Sequence, residues 1–333
     1  MLTDSVTLSV FGVSVYAYGL IAGGAFLLWA LVTSLLCRHR QGGLETALFV
    51  FASLVLGFVC SRAVYCLGSI PYYVISMRDA GLMLRFWDGG YSLIGAFLGV
   101  GLAAAIVGKA TKKPALRFLD GAAVAAPLFV CGIRIAEHFT KLGFGRVVEG
   151  DWLPSFLTLV DEEWEMTEYA VYRMEAGCAF IIFIIMAWQL VVSRKSRRRG
   201  DMAFLFMVLF GSLQTLLESW CKDGHMVIHF IKVSQLASLL LVMAAAIVWT
   251  KRYVAIRGRN TGLLLAWIGF FALAGAAVFL EFKADRWENQ LLVYSLFALC
   301  VAYWLAFPLT VWHKLKKTVY REDTIGVRIG VAE

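Results

Sequence analysis

Apolar residues dominate nine blocks of the chain, at approximately 8–36, 45–67, 90–108, 118–136, 169–192, 203–220, 233–250, 262–281 and 290–312. Each block is close to the roughly 20 residues that an α-helix needs to cross the hydrocarbon core of a bilayer. The pattern predicts an all-α, polytopic transmembrane helical bundle of about nine spans. It shows no internal repeat, no low-complexity tract and no soluble domain. The N-terminal MLTDSV lacks a basic leader region and a convincing cleavage site, so the first block is expected to be a retained span.

Composition agrees. Hydrophobic residues make up 60% and charged residues only 16%, against roughly 25% charged in an ordinary soluble domain. That balance excludes intrinsic disorder, a disulfide scaffold and a soluble nucleotide-binding enzyme. The seven cysteines form no CxxC pair and mostly lie inside apolar blocks, as small core residues do. The net charge of +8 comes from short basic clusters rather than one continuous face, so no nucleic-acid partner is expected.

The clusters instead report topology. Segments 37–44, 109–117, 193–202, 251–261 and the tail after 312 hold 20 of the 31 lysines and arginines, with RKSRRR at 194–199 the densest; the alternate segments hold eight. Short basic loops stay in the cytoplasm. The N-terminus is therefore expected outside and the C-terminus in the cytoplasm. Of the outside segments, 68–88 mixes aromatic and aliphatic residues, as a stretch lying at headgroup depth does. The acidic segment 137–168 is long enough for a small outside cap.

Charged side chains within apolar helices are costly and are candidates for function. Seven stand out: Arg62, Asp120, Arg134, Glu137, Arg173, Glu175 and Glu218. At about 1.5 Å of rise per residue, all but Asp120 fall in the outer half of the bilayer. One reading has them neutralise one another in pairs, with Arg173 the nearest partner in sequence for Glu175. The other has them line a polar cavity opening to the outer leaflet. Guanidinium groups suit such a cavity, because they stay charged when partly desolvated and grip phosphate with a fork of donors. Tyr18 lies at comparable depth, and His138, a side-chain type used for proton transfer, adjoins Glu137. His225 and His229 have helical spacing, but no third ligand or HExxH pattern accompanies them. No metal and no cofactor is expected.

Taken in order, these residues resemble the bacterial prolipoprotein diacylglyceryl transferase family. VSVYAYGLIAGG at 13–24 is similar to that family's first helix and CSRAVYCL at 60–67 to its second-helix arginine segment. WDGGYSLIGAFLG at 87–99 resembles its Trp-Glu-Gly-Gly stretch. GIRIAEHFTKLGFGR at 132–146 is a loose match to the signature Gly-Arg-x-Gly-Asn with its later Gly-Arg. RMEAG at 173–177 resembles its Tyr-Glu-Ala, and LLESW at 216–220 with KVSQLASLLLVMAAAIV at 232–248 its last helical pair. Departures fall at Ile94 where the family has histidine, Glu137 for asparagine, Leu142 for glutamate and Gln214 for arginine.

The resemblance implies a seven-span core over 1–250, with 251–333 supplying two extra helices and a basic tail. It implies transfer of a diacylglyceryl group from phosphatidylglycerol, or a similar anionic phospholipid, to the cysteine thiol of a prolipoprotein signal peptide, in the bacterial plasma (inner) membrane. By position, Tyr18, Arg134, Glu137 and His138 are the candidate catalytic residues, with Glu137 or His138 standing in for the missing histidine as base. Arg62, Asp88, Gly145, Arg146, Glu175 and Glu218 are the candidate substrate-binding residues. Two other readings compete: a catalytically degenerate relative that binds anionic lipid or signal peptide without transfer, and a secondary transporter, for which the expected internal symmetry is not visible.

Overall fold

The computed structural model describes residues 6–10, 13–86, 89–140, 143–148, 153–161, 166–194, 196–222, 227–228, 231–284 and 290–325. Among these are nine helices long and apolar enough to cross a membrane. They are α1 (Ala17–Gln41), α2 (Gly43–Gly68), α3 (Leu93–Thr111), α4 (Ala115–Ala136), α5 (Val171–Val192), α6 (Asp201–Trp220), α7 (Val233–Arg257), α8 (Thr261–Ala284) and α9 (Gln290–Ile325). The expected all-α bundle is present.

Its first span starts later than the apolar pattern suggests. Residues β1 (Val6–Val10) and β2 (Val13–Tyr16) pair antiparallel ahead of α1. This stretch is rich in valine with serine and threonine between, and β-branched side chains favour extended backbone. Hydropathy alone merges it with the helix that follows. Two further hairpins lie at the same end of the bundle: β3 (Thr158–Asp161) with β4 (Met166–Tyr169), and β5 (Val227–Ile228) with β6 (Ile231–Lys232).

Two apolar clusters hold the helices. Trp29, Phe49, Ala103, Phe118 and Ala122 join α1 to α4, and the Trp29 indole donates to the Ala122 carbonyl at 3.2 Å. The second cluster runs through α4 to α9, including Val130, Met186, Phe210, Trp249, Phe270 and Trp304. Helix α6, buried on most of its surface, is its centre. Close contact between α2 and α3 depends on glycine. A Cβ at Gly95 would stand 2.5 Å from the Cys60 carbonyl oxygen, and one at Gly99 2.3 Å from that of Leu56. Small residues one helical turn apart permit this approach where lipid supplies no hydrophobic drive between helices. Outward faces keep large apolar side chains exposed, such as Leu27, Phe51 and Leu264, as expected of a surface solvated by acyl chains.

At the basic end, Asp120 of α4 caps α6. Its carboxylate accepts from the backbone N–H groups of Gly200 (2.8 Å), Met202 (2.9 Å) and Ala203 (3.2 Å). Helix N-termini present unsatisfied donors and a partial positive charge, which explains a carboxylate at this depth. Asp201 beside it binds Arg252 at 2.7 Å.

Candidate active site at the bundle end

Opposite the basic loops, charges from four helices meet. Arg134, in the last turn of α4, is largely buried between two carboxylates. Its Nη1 donates to Glu137 Oε1 at 2.7 Å, and its Nε lies 2.8 Å from Glu175 Oε2 in α5. Glu137 opens the short 3₁₀ turn that follows α4, three residues after Arg134 and therefore on the same face. Gln214 of α6 donates through Nε2 to Glu175 Oε1 and to Glu218 Oε2, the latter at 3.0 Å. This amide stands where the resemblance leads one to expect an arginine. It supplies hydrogen-bond donors to both carboxylates without the charge.

The Lys232 ammonium at the start of α7 donates to the backbone carbonyls of Glu218 (2.7 Å) and Cys221. Glu175, Glu218 and Cys221 offer two carboxylate oxygens and a thiol within 4.8 Å of one another. These carboxylates are already engaged by Arg134 and Gln214, so the cluster is held by protein donors. Burial pushes the Cys221 thiol well above its usual range, and the Glu218 and Glu175 carboxylates add to the effect against Lys232 and Arg134.

Tyr18, the second residue of α1, is half-buried and within electrostatic reach of Glu137, Arg134 and Tyr91. His138 is exposed beside this group, with Nδ1 2.9 Å from the Tyr172 hydroxyl. That hydroxyl also accepts from Arg173 Nε at 2.9 Å. Gly143 closes the group. It has φ +73°, and a Cβ there would stand 2.7 Å from Glu137 Oε2. Only glycine accepts both the backbone angle and the proximity.

The structure brings Tyr18, Arg134, Glu137, His138, Glu175 and Glu218 together and gives three other residues different settings. Arg62 is buried and donates to the carbonyls of Leu82, Met83, Arg85, Gly89 and Gly90, so its guanidinium is occupied in organising the backbone that leads into α3. Gly145 lies inside the protein, where a Cβ would meet Tyr169 Cβ at 2.4 Å and the Trp220 carbonyl oxygen at 2.9 Å. It allows residues 143–148 to run between β4 and the end of α6, tied by Arg146 N–H to Trp220 O (2.8 Å) and Gly145 N–H to Tyr169 O (2.8 Å). Arg146, on that segment, has Nη2 3.3 Å from Glu281 Oε1 of α8. Asp88, Leu142, His225 and His229 lie outside the described residues. Ile94, where the resemblance leads one to expect a histidine, is a buried core residue.

The pairing of Glu175 with Arg173 that one of the two readings offered is not made, and Glu175 pairs with Arg134 instead. Residues two apart on a helix point away from each other, and Arg173 turns to the carbonyls of Phe156 (3.2 Å) and Thr158 (3.5 Å). Sequence inspection also missed Tyr172, Lys232 and Glu281. Lys232 and Glu281 each sit at the very end of an apolar block, where a charge looks interfacial. Tyr172 adjoins Arg173 and looks like an interfacial aromatic.

Between α5 and α6 a narrow fissure runs to this cluster. Cys178, Ala179, Ile182, Phe210, Leu213 and Leu217 line its apolar part, and Glu175 and Gln214 lie at its polar end.

Sequence comparison gives the same direction. The family model for prolipoprotein diacylglyceryl transferase matches residues 5–251. Among curated relatives named phosphatidylglycerol–prolipoprotein diacylglyceryl transferase, the protein from Symbiobacterium thermophilum is 26% identical over 275 residues, 78% of this chain and 97% of the relative. Those of Lactococcus lactis subsp. lactis (22% over 248 residues, covering 71% and 89%) and Xanthomonas campestris pv. campestris (26% over 268 residues, covering 72% and 88%) match similarly. A family match over residues 5–251, in a bundle whose described residues include nine helices long and apolar enough to cross a membrane, places this protein in the prolipoprotein diacylglyceryl transferase family.

Proposed function

We propose that this protein transfers the diacylglyceryl group of phosphatidylglycerol, or a similar anionic phospholipid, to the cysteine thiol of a prolipoprotein signal peptide, in the bacterial plasma (inner) membrane. The observation that carries this is Arg134, fixed by Glu137 and Glu175 at the bundle end opposite the basic loops. Residues 1–250 form the transferase core and 251–333 an extension of it. The positive-inside pattern puts the site on the outer side, at the depth of the lipid headgroups.

In the reaction the cysteine sulfur attacks the glycerol carbon that carries the phosphate ester. The S–C bond forms as the C–O bond breaks, and glycerol phosphate departs with the electron pair. Charge develops on the leaving phosphate, so a pre-oriented guanidinium stabilises the transition state more than the ground state. Arg134 supplies it, and Arg146 on the neighbouring segment is a second cation that binds the headgroup phosphate of the donor in ground and transition state alike. Glu175 and Glu218 keep Arg134 and the Gln214 amide in place, and Tyr18 offers a hydroxyl to the lipid. The thiol must lose its proton before attack. Of the two candidate bases, His138 has the better setting: it is exposed, and the Tyr172 hydroxyl contacts Nδ1, leaving Nε2 to take the proton. Glu137 is engaged by Arg134. Arg62 acts indirectly, by shaping the loop above.

The test is transfer in proteoliposomes containing phosphatidylglycerol and a signal peptide with a single cysteine, read by the mass of the product. Wild-type protein is expected to add one diacylglyceryl group. Arg134→Ala is expected to lower the rate by about 10²-fold or more, the usual scale for removing a charge-stabilising donor. A correctly folded Arg134→Ala with full transfer would overturn the assignment.

A further inference from the structure

Glu281 belongs to α8, beyond the 5–251 region that matches the family model, yet its carboxylate is buried at the rim of the site. One oxygen faces Arg146 Nη2 at 3.3 Å. The other accepts from Ser219 Oγ at 2.6 Å and Gln235 Nε2 at 3.2 Å. These three donors come from three separate parts of the matched region: the 143–148 segment, the end of α6 and the start of α7. A buried carboxylate is costly unless such partners surround it, so its presence in the otherwise uncharged stretch 261–282 calls for a role.

The local sequence explains how it arrives there. Phe270, Ala277 and Glu281 fall on one stripe of α8, and the first two pack into the main core. The same stripe that docks α8 therefore delivers the carboxylate to the bundle end. Next to it Tyr294 of α9 packs edge-on against Trp220 at 5.5 Å, and Trp220 stacks on Tyr169 at 5.5 Å. The α8–α9 hairpin thus packs directly on Trp220, and through it on Tyr169, the two residues whose backbone carbonyls hold the Arg146 segment.

We propose that Glu281 is a positioning residue for Arg146: the appended hairpin supplies the carboxylate that fixes this guanidinium at the rim, pre-oriented for an anionic lipid headgroup. The proposal rests on the transferase reading above and assigns the hairpin a part in donor binding. Pre-orientation acts on affinity for the donor more than on the chemical step. Removing the charge of Glu281 is therefore expected to weaken use of phosphatidylglycerol while leaving turnover at saturation nearly intact.

The experiment compares full-length wild type, Glu281→Gln, Glu281→Asp, Arg146→Gln, the Glu281→Gln/Arg146→Gln double variant and Ser219→Ala in the proteoliposome assay. The phosphatidylglycerol fraction is varied in a phosphatidylcholine background. Glu281→Gln is expected to raise the apparent KM for phosphatidylglycerol about tenfold with kcat changed less than about twofold. Glu281→Asp should recover part of the loss. The double variant should be no worse than Arg146→Gln alone, since both changes remove one interaction. Ser219→Ala removes a bond to the same carboxylate without touching Arg146 and should leave KM near wild type.

An unaltered KM in Glu281→Gln, or effects of the two single changes that multiply, would overturn the proposal. So would loss of thermal stability in Glu281→Gln and Ser219→Ala alike with KM unmoved, which is the mark of a purely structural role. If Glu281→Gln does not fold, Glu281→Asp carries the KM test. If wild type transfers nothing, the transferase reading fails separately, and the proposal is decided by the rise in unfolding temperature on adding phosphatidylglycerol vesicles. That rise should shrink in Glu281→Gln and shrink no further in the double variant; an undiminished rise overturns it.

Discussion

Arg134 illustrates how a single side chain sets the character of the site. Taking a guanidinium and its carboxylate partners out of water costs several kcal/mol per ion, and their attraction offsets this only in good geometry. The offset is shared by Glu137 and Glu175, on either side of one guanidinium. Cys221 shows the reverse effect of the same surroundings. Its thiol is buried beside two carboxylates and lies well above the usual cysteine range, so it stays protonated through neutral and mildly alkaline pH, and a protonated thiol is a poor nucleophile. In folded protein at pH 8, Cys221 is expected to resist alkylation by iodoacetamide and to react only after denaturation, as read by peptide mass spectrometry. Rapid labelling in the folded state would contradict the buried setting. At this scale the sequence was informative about which residues matter, because charge inside an apolar helix is conspicuous. It was silent about partners: Arg62 ends on backbone carbonyls and Arg146 on a helix far along the chain, and neither contact leaves a local pattern.

Helices α4 and α6 connect the two ends of the molecule. At one end α4 delivers Arg134 to the site; at the other its Asp120 takes three N–H donors at the start of α6. Loss of an N-terminal cap typically costs about 0.5–2 kcal/mol. Asp120→Ala is expected to destabilise the protein by about that amount, with a lower unfolding temperature in detergent and little change in KM for phosphatidylglycerol. A large KM change at unaltered stability would show that Asp120 acts on the site. Helix existence was readable from hydropathy, while boundaries were less so. The β1–β2 hairpin was absorbed into the first apolar block because valine is both strongly hydrophobic and β-branched. Pairing Glu175 with Arg173 by proximity in sequence failed on helical geometry, since side chains two positions apart face different neighbours.

Across the whole molecule, the nine apolar helices among the described residues are expected to leave the start of α1 and the end of α9 on opposite sides, with the charge of the connections setting which is which. The basic connections are expected in the cytoplasm and the β3–β4 cap outside. Epitopes inserted after Lys113 and after the exposed Phe156 test this in spheroplasts with intact membranes. Antibody is expected to reach the second and to reach the first only after permeabilisation; the opposite result would invert the topology and move the site to the cytoplasmic face. The extra helices α8 and α9 belong to this scale as well. Their residues share a core with α6 and α7, including Trp312 stacked on Trp249 at 5.4 Å.

Hydropathy and charge indicated, without coordinates, that the chain spans a membrane about nine times and which of its residues are costly to bury, and the order of its short motifs carried the family resemblance. These properties are written locally, in the length of an apolar block or the presence of a charge within it. Tertiary structure alone decided which charges meet. Arg134 gathers carboxylates from its own helix end and from α5, Gln214 bridges two of them from α6, and α8 brings Glu281 to Arg146. Such encounters depend on how helices distant in sequence pack and rotate against one another, and that arrangement follows from the whole core rather than from any segment of the chain.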